Sequence, residues 1–227
     1  MKAILLDIEG TTTPISFVYD VLFPYARSHI RENLGPQDVA ALRASYEMDL
    51  RNGFAPPAWS DVPVAYVEWL MDEDRKSTAL KELQGKIWLS GYKQGALHGE
   101  VFADVRPALE RWHRSGIDVR IYSSGSKLAQ QLLFSTTTAG DLTGLLNGYF
   151  DTTTGPKVES QSYVVIGLAF GCEAEEVLFI SDVVRELDAA RGAGMQTALC
   201  IRPGNKRQSP GTHRTILSFE EIKNDAE

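Results

Sequence analysis

The sequence predicts an α/β protein: a doubly wound parallel sheet with an all-helical segment inserted after its first strand. Three observations point there. A fully apolar run, Ala3–Leu6, ends abruptly in Asp7, Glu9, Gly10 and a threonine cluster. Such a run bounded by turn chemistry marks a strand buried on both faces. From about residue 100 onward, short apolar strands alternate with helices of about ten residues, the rhythm of right-handed βαβ crossovers. Between residues 15 and 95 no strand-like alternation occurs.

Each element has its own signal. Ser16 to Asn33 reads as a helix with Ser16 as N-cap, Phe17, Val18, Val21 and Leu22 on one face, and a kink at Pro24. Pro36 to Arg51 is a second helix, with proline in its first turn and Gly53 beyond its end. The Pro56-Pro57 pair breaks the chain before two further helices, Asp61–Met71 and Ser77–Tyr92. Arg106–Ser115 is a helix closed by Gly116, and Asp118–Tyr122 a strand ending in Ser123-Ser124-Gly125-Ser126. Lys127–Ser135 is helical, and Tyr149–Asp151 is a short strand. Ser160–Phe170 is a helix stopped by Gly171, and Val177–Ile180 a strand ending in Ser181-Asp182. Glu186–Ala193 is a helix capped by Gly194, followed by strand Thr197–Ile201. The polar stretch Pro203 to Gly211 reads as a loop before a final short element. This gives a core of residues 1–14 and 99–227 and a helical cap of residues 15–98.

Composition limits the function classes. The chain has 227 residues, enough for one sizeable core with an inserted subdomain. Its net charge of −7, without a long basic run, argues against nucleic acid or an anionic membrane surface as partner. An anionic substrate must then meet local positive charge. No stretch approaches the twenty or so apolar residues of a membrane span, and the run after Met1 does not read as a signal peptide. Cys172 and Cys200 are the only cysteines, which suits a reducing cytoplasm and free thiols.

In doubly wound sheets ligands sit beyond the carboxyl ends of the strands. Three strand ends here carry polar groups: Asp7 with Glu9, Ser123 with Ser124, and Asp182. A fourth group, Lys157, lies in the loop Thr154-Gly155-Pro156-Lys157. Together they make a phosphate site. Mg²⁺ prefers oxygen ligands, usually one or two carboxylates, which Asp7 and Asp182 supply. Asp7 is then placed to attack a phosphoryl group and form an aspartyl-phosphate. Glu9 is placed to protonate the leaving oxygen and then deprotonate water. Ser123 and the amides of the following helix bond phosphoryl oxygens, and Lys157 balances transition-state charge.

These residues resemble the haloacid-dehalogenase superfamily of phosphohydrolases, whose core is a Rossmann-like sheet. All four motifs occur in order: Asp7-Ile8-Glu9-Gly10-Thr11, Ser123, Lys157, and Ser181-Asp182 with Glu186. One departure is informative. The superfamily usually has Asp two residues after the nucleophile, where this chain has Glu9. With Tyr122-Ser123-Ser124-Gly125-Ser126 and Gly91-Tyr92-Lys93-Gln94-Gly95, that departure resembles the enolase-phosphatases of methionine salvage, over nearly the whole chain. The resemblance implies enolisation of 2,3-diketo-5-methylthiopentyl-1-phosphate and then removal of phosphate, giving the acireductone 1,2-dihydroxy-3-keto-5-methylthiopentene. It implies one Mg²⁺ per subunit and a cytoplasmic monomer. Asp7, Glu9 and Asp182 are then the metal positions, Glu9 through its backbone carbonyl, and Ser123, Ser124 and Lys157 contact substrate. The cap is expected to close over the site and exclude water.

Other readings of the same residues stand beside these. Ser124 also reads as a helix cap, and Lys127 is a rival to Lys157. Glu186 more often orients a neighbour than binds metal. Tyr92, Trp88 and Phe17 read as cap core, and His29, His98, His113 and His213 lack metal-ligand spacing. The serine loop lacks the preceding glycine of a nucleophile elbow, which excludes a serine hydrolase. A small-metabolite phosphatase without enolisation, for phosphoglycolate or a sugar phosphate, and a silent phosphate-binding protein remain the alternatives.

Overall fold

The computed structural model describes residues 1–75 and 77–223. Six strands form one sheet: β1 (Ala3–Leu6), β2 (Asp118–Tyr122), β3 (Gly148–Phe150), β4 (Val177–Ser181), β5 (Gln196–Cys200) and β6 (Arg214–Ile216). Their order is β3-β2-β1-β4-β5-β6 and every pairing is parallel. The chain builds outward from β1 first to one side and then to the other, so the order reverses beside β1. That is where such sheets open a crevice for ligands. Leu6 pairs with Ile121 on one side and Ile180 on the other. One residue further on, Asp7 is therefore level with Tyr122 and Ser181.

The fully apolar β1 is explained by its position. Ile4, Leu5 and Leu6 have no solvent exposure, because flanking helices cover both faces of the strand. Burying each such side chain contributes about 1.5–3 kcal/mol. Ala3 and Leu5 share a cluster with Phe179, with Tyr163 and Ile166 of the helix Ser160–Phe170, and with Leu187 and Ala190 of the helix Val184–Gly192. Trp112, in the helix Val105–Arg114, is also fully buried and packs on Phe219.

The chain divides into two compact units: Met1–Val18 with everything from His98 onward, and Tyr19–Leu97. The second is all helical: α1 (Phe23–Ser28), α2 (Ile30–Asn33), α3 (Pro36–Arg51), α4 (Val64–Asp72) and α5 (Thr78–Lys93). Its core joins Ala26, Ile30, Leu42, Tyr66, Leu70, Leu83 and Ile87. Asp49, buried within it, accepts from the Tyr66 hydroxyl at 2.7 Å and pairs with Arg75 at 2.6 Å, so the buried charge is matched.

Several boundaries differ from the sequence expectation. The single helix expected over Ser16–Asn33 is three pieces: a π-helical stretch Phe17–Leu22, then α1 and α2. Pro24, which has no N–H to donate, sits in the first turn of α1 rather than kinking a continuous helix. Phe17 falls in the sheet unit, not the helical one. The helix expected from Asp61 begins at Val64, directly after Pro63. The helix expected from Glu186 begins at Val184, where the Ser181 hydroxyl accepts from Val183 N at 3.1 Å. We label the remaining helices α6 (Val105–Arg114), α7 (Lys127–Ser135), α8 (Ser160–Phe170) and α9 (Val184–Gly192).

Candidate active site

At the end of β1 the chain folds into a tight turn. The amides of Thr11, Thr12 and Thr13 all donate to Ile8 O, at 3.1, 3.0 and 2.9 Å, and Gly10 N donates to Thr13 O at 2.8 Å. Thr12 Oγ1 also reaches Asp7 O at 3.2 Å. These bonds use the carbonyls of Asp7, Ile8 and Thr13 and leave that of Glu9 unused among the described residues. Gly10 adopts φ +70°, a left-handed conformation that suits glycine. A Cβ there would lie 2.5 Å from Asp182 Oδ2 and 2.8 Å from Asn205 Oδ1. Three loops thus converge on this one backbone position.

Lys157 Nζ lies 2.6 Å from Asp7 Oδ1 and 2.7 Å from Glu186 Oε2. The Ser181 hydroxyl lies between the same two carboxylates, 3.2 Å from Asp7 Oδ2 and 3.0 Å from Glu186 Oε2. Glu186 therefore orients Lys157 and Ser181, while the side chain of the rival Lys127 is exposed. The Lys157 loop is held by three hydroxyls on three successive carbonyls: Tyr122 on Gly155 O at 2.8 Å, Ser162 on Pro156 O at 2.7 Å and Tyr163 on Lys157 O at 2.8 Å.

The electrostatics follow from four carboxylates around one buried ammonium. Burial opposes the charge on Lys157, but Asp7 and Glu186 outweigh it and hold the amine above its usual value. Burial raises Glu9, and Asp7 raises it further while Lys157 pulls the other way. Asp182 is pushed up to about 7, by burial first and then by Asp7 and Glu186. Glu186 is also raised, by burial and then by Asp7. Mutually repelling hard oxygens of this kind fit a divalent cation. Among the described residues no three acidic, imidazole or thiol side chains are grouped as a metal cage. An ion there would rest on the Asp7 and Asp182 carboxylates and the free Glu9 carbonyl, with the remaining positions left to water and phosphate oxygens.

The serine loop leaves β2 at the same edge. Ser123 is buried; its amide donates to Phe150 O at 3.2 Å and its hydroxyl accepts from Gly125 N at 3.2 Å. The Gln130 amide ties Gly125 O and Phe150 O together at 2.8 Å each. Ser126, not Ser124, caps α7, accepting from Ala129 N. That corrects the reading of Ser124 as a cap; its side chain is exposed.

A family model for haloacid dehalogenase-like hydrolases matches residues 1–194. The chain is 49% identical to "Enolase-phosphatase E1" of Synechococcus elongatus, over 98% of each chain. It is equally identical to the protein of that name from Pseudomonas aeruginosa, again over 98% of each. The chain belongs to the enolase-phosphatase E1 family. Among solved structures, the UTR4 protein of Saccharomyces cerevisiae superposes with a TM-score of 0.78 at 36% identity, covering 97% of this chain and 99% of that one. Membership makes this chain a hydrolase of the phosphatase kind, and enzymes of this family are generally Mg²⁺-dependent. No helix among the described residues is long and apolar enough to cross a membrane.

Sequence reading missed the side chains that hold the enolase-phosphatase loops in place. Tyr122, Ser162 and Tyr163 support Lys157, Gln130 supports the serine loop, and Asn205 and Gln208 lie against the acidic loops. Asp151, just past β3, accepts from Lys127 N at 3.3 Å and Thr153 N at 3.0 Å. Tyr122 and Asn205 act on backbone groups remote in sequence, and the nearer pairs link a helix to the loop before it, so no local pattern announces such a partner.

Proposed function

We infer that this chain is the bifunctional enolase-phosphatase of methionine salvage. It converts 2,3-diketo-5-methylthiopentyl-1-phosphate to the acireductone 1,2-dihydroxy-3-keto-5-methylthiopentene and phosphate. The observation that supports it best is the contrast between two acids two residues apart. Asp7 is ion-paired with Lys157 at 2.6 Å, while Glu9 is pushed toward its protonated form. A carboxylate paired with an ammonium and one raised by burial are suited to separate roles as nucleophile and acid.

In this reading an Asp7 oxygen attacks phosphorus, forming the aspartyl-phosphate as the bond from phosphorus to the ester oxygen breaks. Glu9 gives its proton to that departing oxygen. It then takes a proton from the water that attacks the aspartyl-phosphate, which releases phosphate and restores Asp7. Lys157 neutralises charge on the phosphoryl oxygens, and Ser123, Ser124 and the amides at the start of α7 bind them. Asp7, Asp182 and the Glu9 carbonyl would hold Mg²⁺; Glu186 keeps Lys157 in place. Bound Mg²⁺ supplies the positive charge that lets a carboxylate approach an anionic phosphate. The reading extends to a cytoplasmic monomer whose Cys172 and Cys200 stay as free thiols.

The test supplies the diketo phosphate with Mg²⁺ and follows enol absorbance and free phosphate in one reaction. The enol is expected to rise before phosphate appears, and Asp7→Asn, which removes the phosphoryl nucleophile, is expected to abolish phosphate release. Phosphate release without enol or acireductone would leave a plain small-metabolite phosphatase.

A further inference from the structure

We propose that the loop after β5 is a positioning clasp: Asn205 and Gln208 fix the spacing of the two acidic loops and thereby set divalent-metal affinity. The proposal rests on the reading of Asp7 and Asp182 as metal-holding residues.

The clasp has two jaws. Asn205 Nδ2 donates to Gly10 O at 2.9 Å and to Cys200 O at 3.3 Å, joining the turn after Asp7 to the end of β5. Gln208 brackets the other loop: its Nε2 donates to Asp182 O at 2.6 Å, and its Oε1 accepts from Val184 N at 3.1 Å. One short stretch of chain thus binds both loops through neutral amides. Its base is anchored by Arg202, which is buried between Phe102 and Phe219, with its guanidinium 4.5 and 4.7 Å from their ring centres. Arg202 pairs with Asp104 at 2.9 Å and donates through Nε to Thr11 O at 3.2 Å. The acidic turn is therefore gripped at two successive carbonyls, Gly10 and Thr11.

The orientation of the Asn205 amide is fixed. Both partners of its nitrogen are carbonyl oxygens, so the nitrogen must face them. Its Oδ1 then lies with Asp182 Oδ2 beside the Gly10 Cα, at 2.8 and 2.5 Å from the position a Cβ would take. This Oδ1 is buried without a hydrogen-bond donor among the described residues. It shares the space beside Gly10 with the Asp182 carboxylate. The clasp holds together loops whose carboxylates repel one another. Releasing either jaw lets them separate, and residues that orient metal ligands in this manner govern affinity without touching the ion.

The experiment titrates Mn²⁺ into the full chain without substrate, by calorimetry and by electron paramagnetic resonance, for wild type, Asn205→Ala, Gln208→Ala and Gln208→Glu. Gln208→Glu keeps the acceptor for Val184 N and loses the donor to Asp182 O, so it remains informative if the alanine variants fold poorly. A control, Gln196→Ala, removes a side-chain bond to Glu175 O at 2.7 Å elsewhere on the sheet unit. Affinity is expected to fall on the order of tenfold or more in each clasp variant and to stay within about twofold in the control. Saturating metal is expected to restore most of kcat with little change in KM. Clasp variants that bind Mn²⁺ as tightly as the control overturn the proposal. A wild type that binds no Mn²⁺, in calorimetry or resonance, overturns the metal reading and the clasp with it.

Discussion

Removing the buried ammonium should expose how much the carboxylate cluster depends on it. Lys157 is only 11% exposed, and its partners Asp7 and Glu186 are 6% and 12% exposed at 2.6 and 2.7 Å. In Lys157→Met the aliphatic stem is nearly preserved, so packing changes little and the loss is electrostatic. Leaving buried charges without a partner costs about 3–5 kcal/mol, or about 6–20 °C in Tm for a chain of this size. That loss depends on pH in a defined direction. Asp182, at about 7, and Glu186 are already raised in the native state, and loss of the cation raises them further. The penalty is therefore present at pH 8, where they are ionised, and shrinks as pH falls through their native values and they become neutral. Urea unfolding in EDTA at pH 5 and pH 8 reads the difference. Adding Glu186→Gln to Lys157→Met removes one of the two orphaned carboxylates and should recover part of the loss at pH 8. A penalty equal at both pH values, or no recovery in the double variant, refutes the assignment of this ion pair as the balance of the cluster.

Wild type without metal should itself lose stability as pH rises. Asp182 has a native value near 7, above the ordinary range near 4; its contribution is complete below the ordinary value and is lost through pH 7. Tm measured across pH 4–8 should fall more steeply in EDTA than in Mg²⁺, and parallel curves would count against the cluster as a metal site. Gly155→Ala should cost about 1–3 kcal/mol and most of the activity. The residue sits at φ +146°, where a Cβ would be 2.3 Å from Ser162 Oγ, and the displaced loop carries Lys157; wild-type Tm and kcat would contradict this. The Cys200 thiol, buried and pushed up to about 12, is ionised on the order of one part in ten thousand at pH 8. Native protein should therefore lose Cys172 first to a thiol-specific reagent, with Cys200 labelled only on unfolding, as peptide mapping would show.

Legibility in the sequence followed from how local the cause was. The run Ala3–Leu6 was readable because a strand covered on both faces admits no polar alternation, and the acids after it had to lie at the sheet edge. Alternation of strands and helices after residue 100 gave the parallel order for the same reason. Element ends were less readable. The start at Phe23 and the late start at Val64 lie beside prolines, and the early start at Val184 beside the Ser181 hydroxyl, which propensity alone does not rank. Asn205 and Gln208 lie in a polar stretch, Pro203 to Gly211, whose composition says only loop. Their meaning comes from Gly10 and Asp182, which the sheet order brings alongside β5.

The same division runs through the site. Its charged groups, Asp7, Glu9, Lys157 and Asp182, were legible because chemistry dictates their types. Most of the groups that hold them are neutral: Tyr122, Ser162 and Tyr163 on the Lys157 loop, Gln130 on the serine loop, Asn205 and Gln208 on the acidic loops, while Arg202 reaches the acidic turn already paired with Asp104. There is a physical reason for that neutrality. With four carboxylates facing one buried ammonium, a further unpaired charged support would shift protonation of the members near it through the low-dielectric interior. A hydroxyl or amide bonded to a backbone carbonyl contributes only about 0.5–1.5 kcal/mol, but it fixes position without altering the charge balance. Substituting a neutral support should therefore move geometry and affinity, whereas substituting a charged member should move pH dependence. That difference separates the two classes of residue in any mutational series on this enzyme.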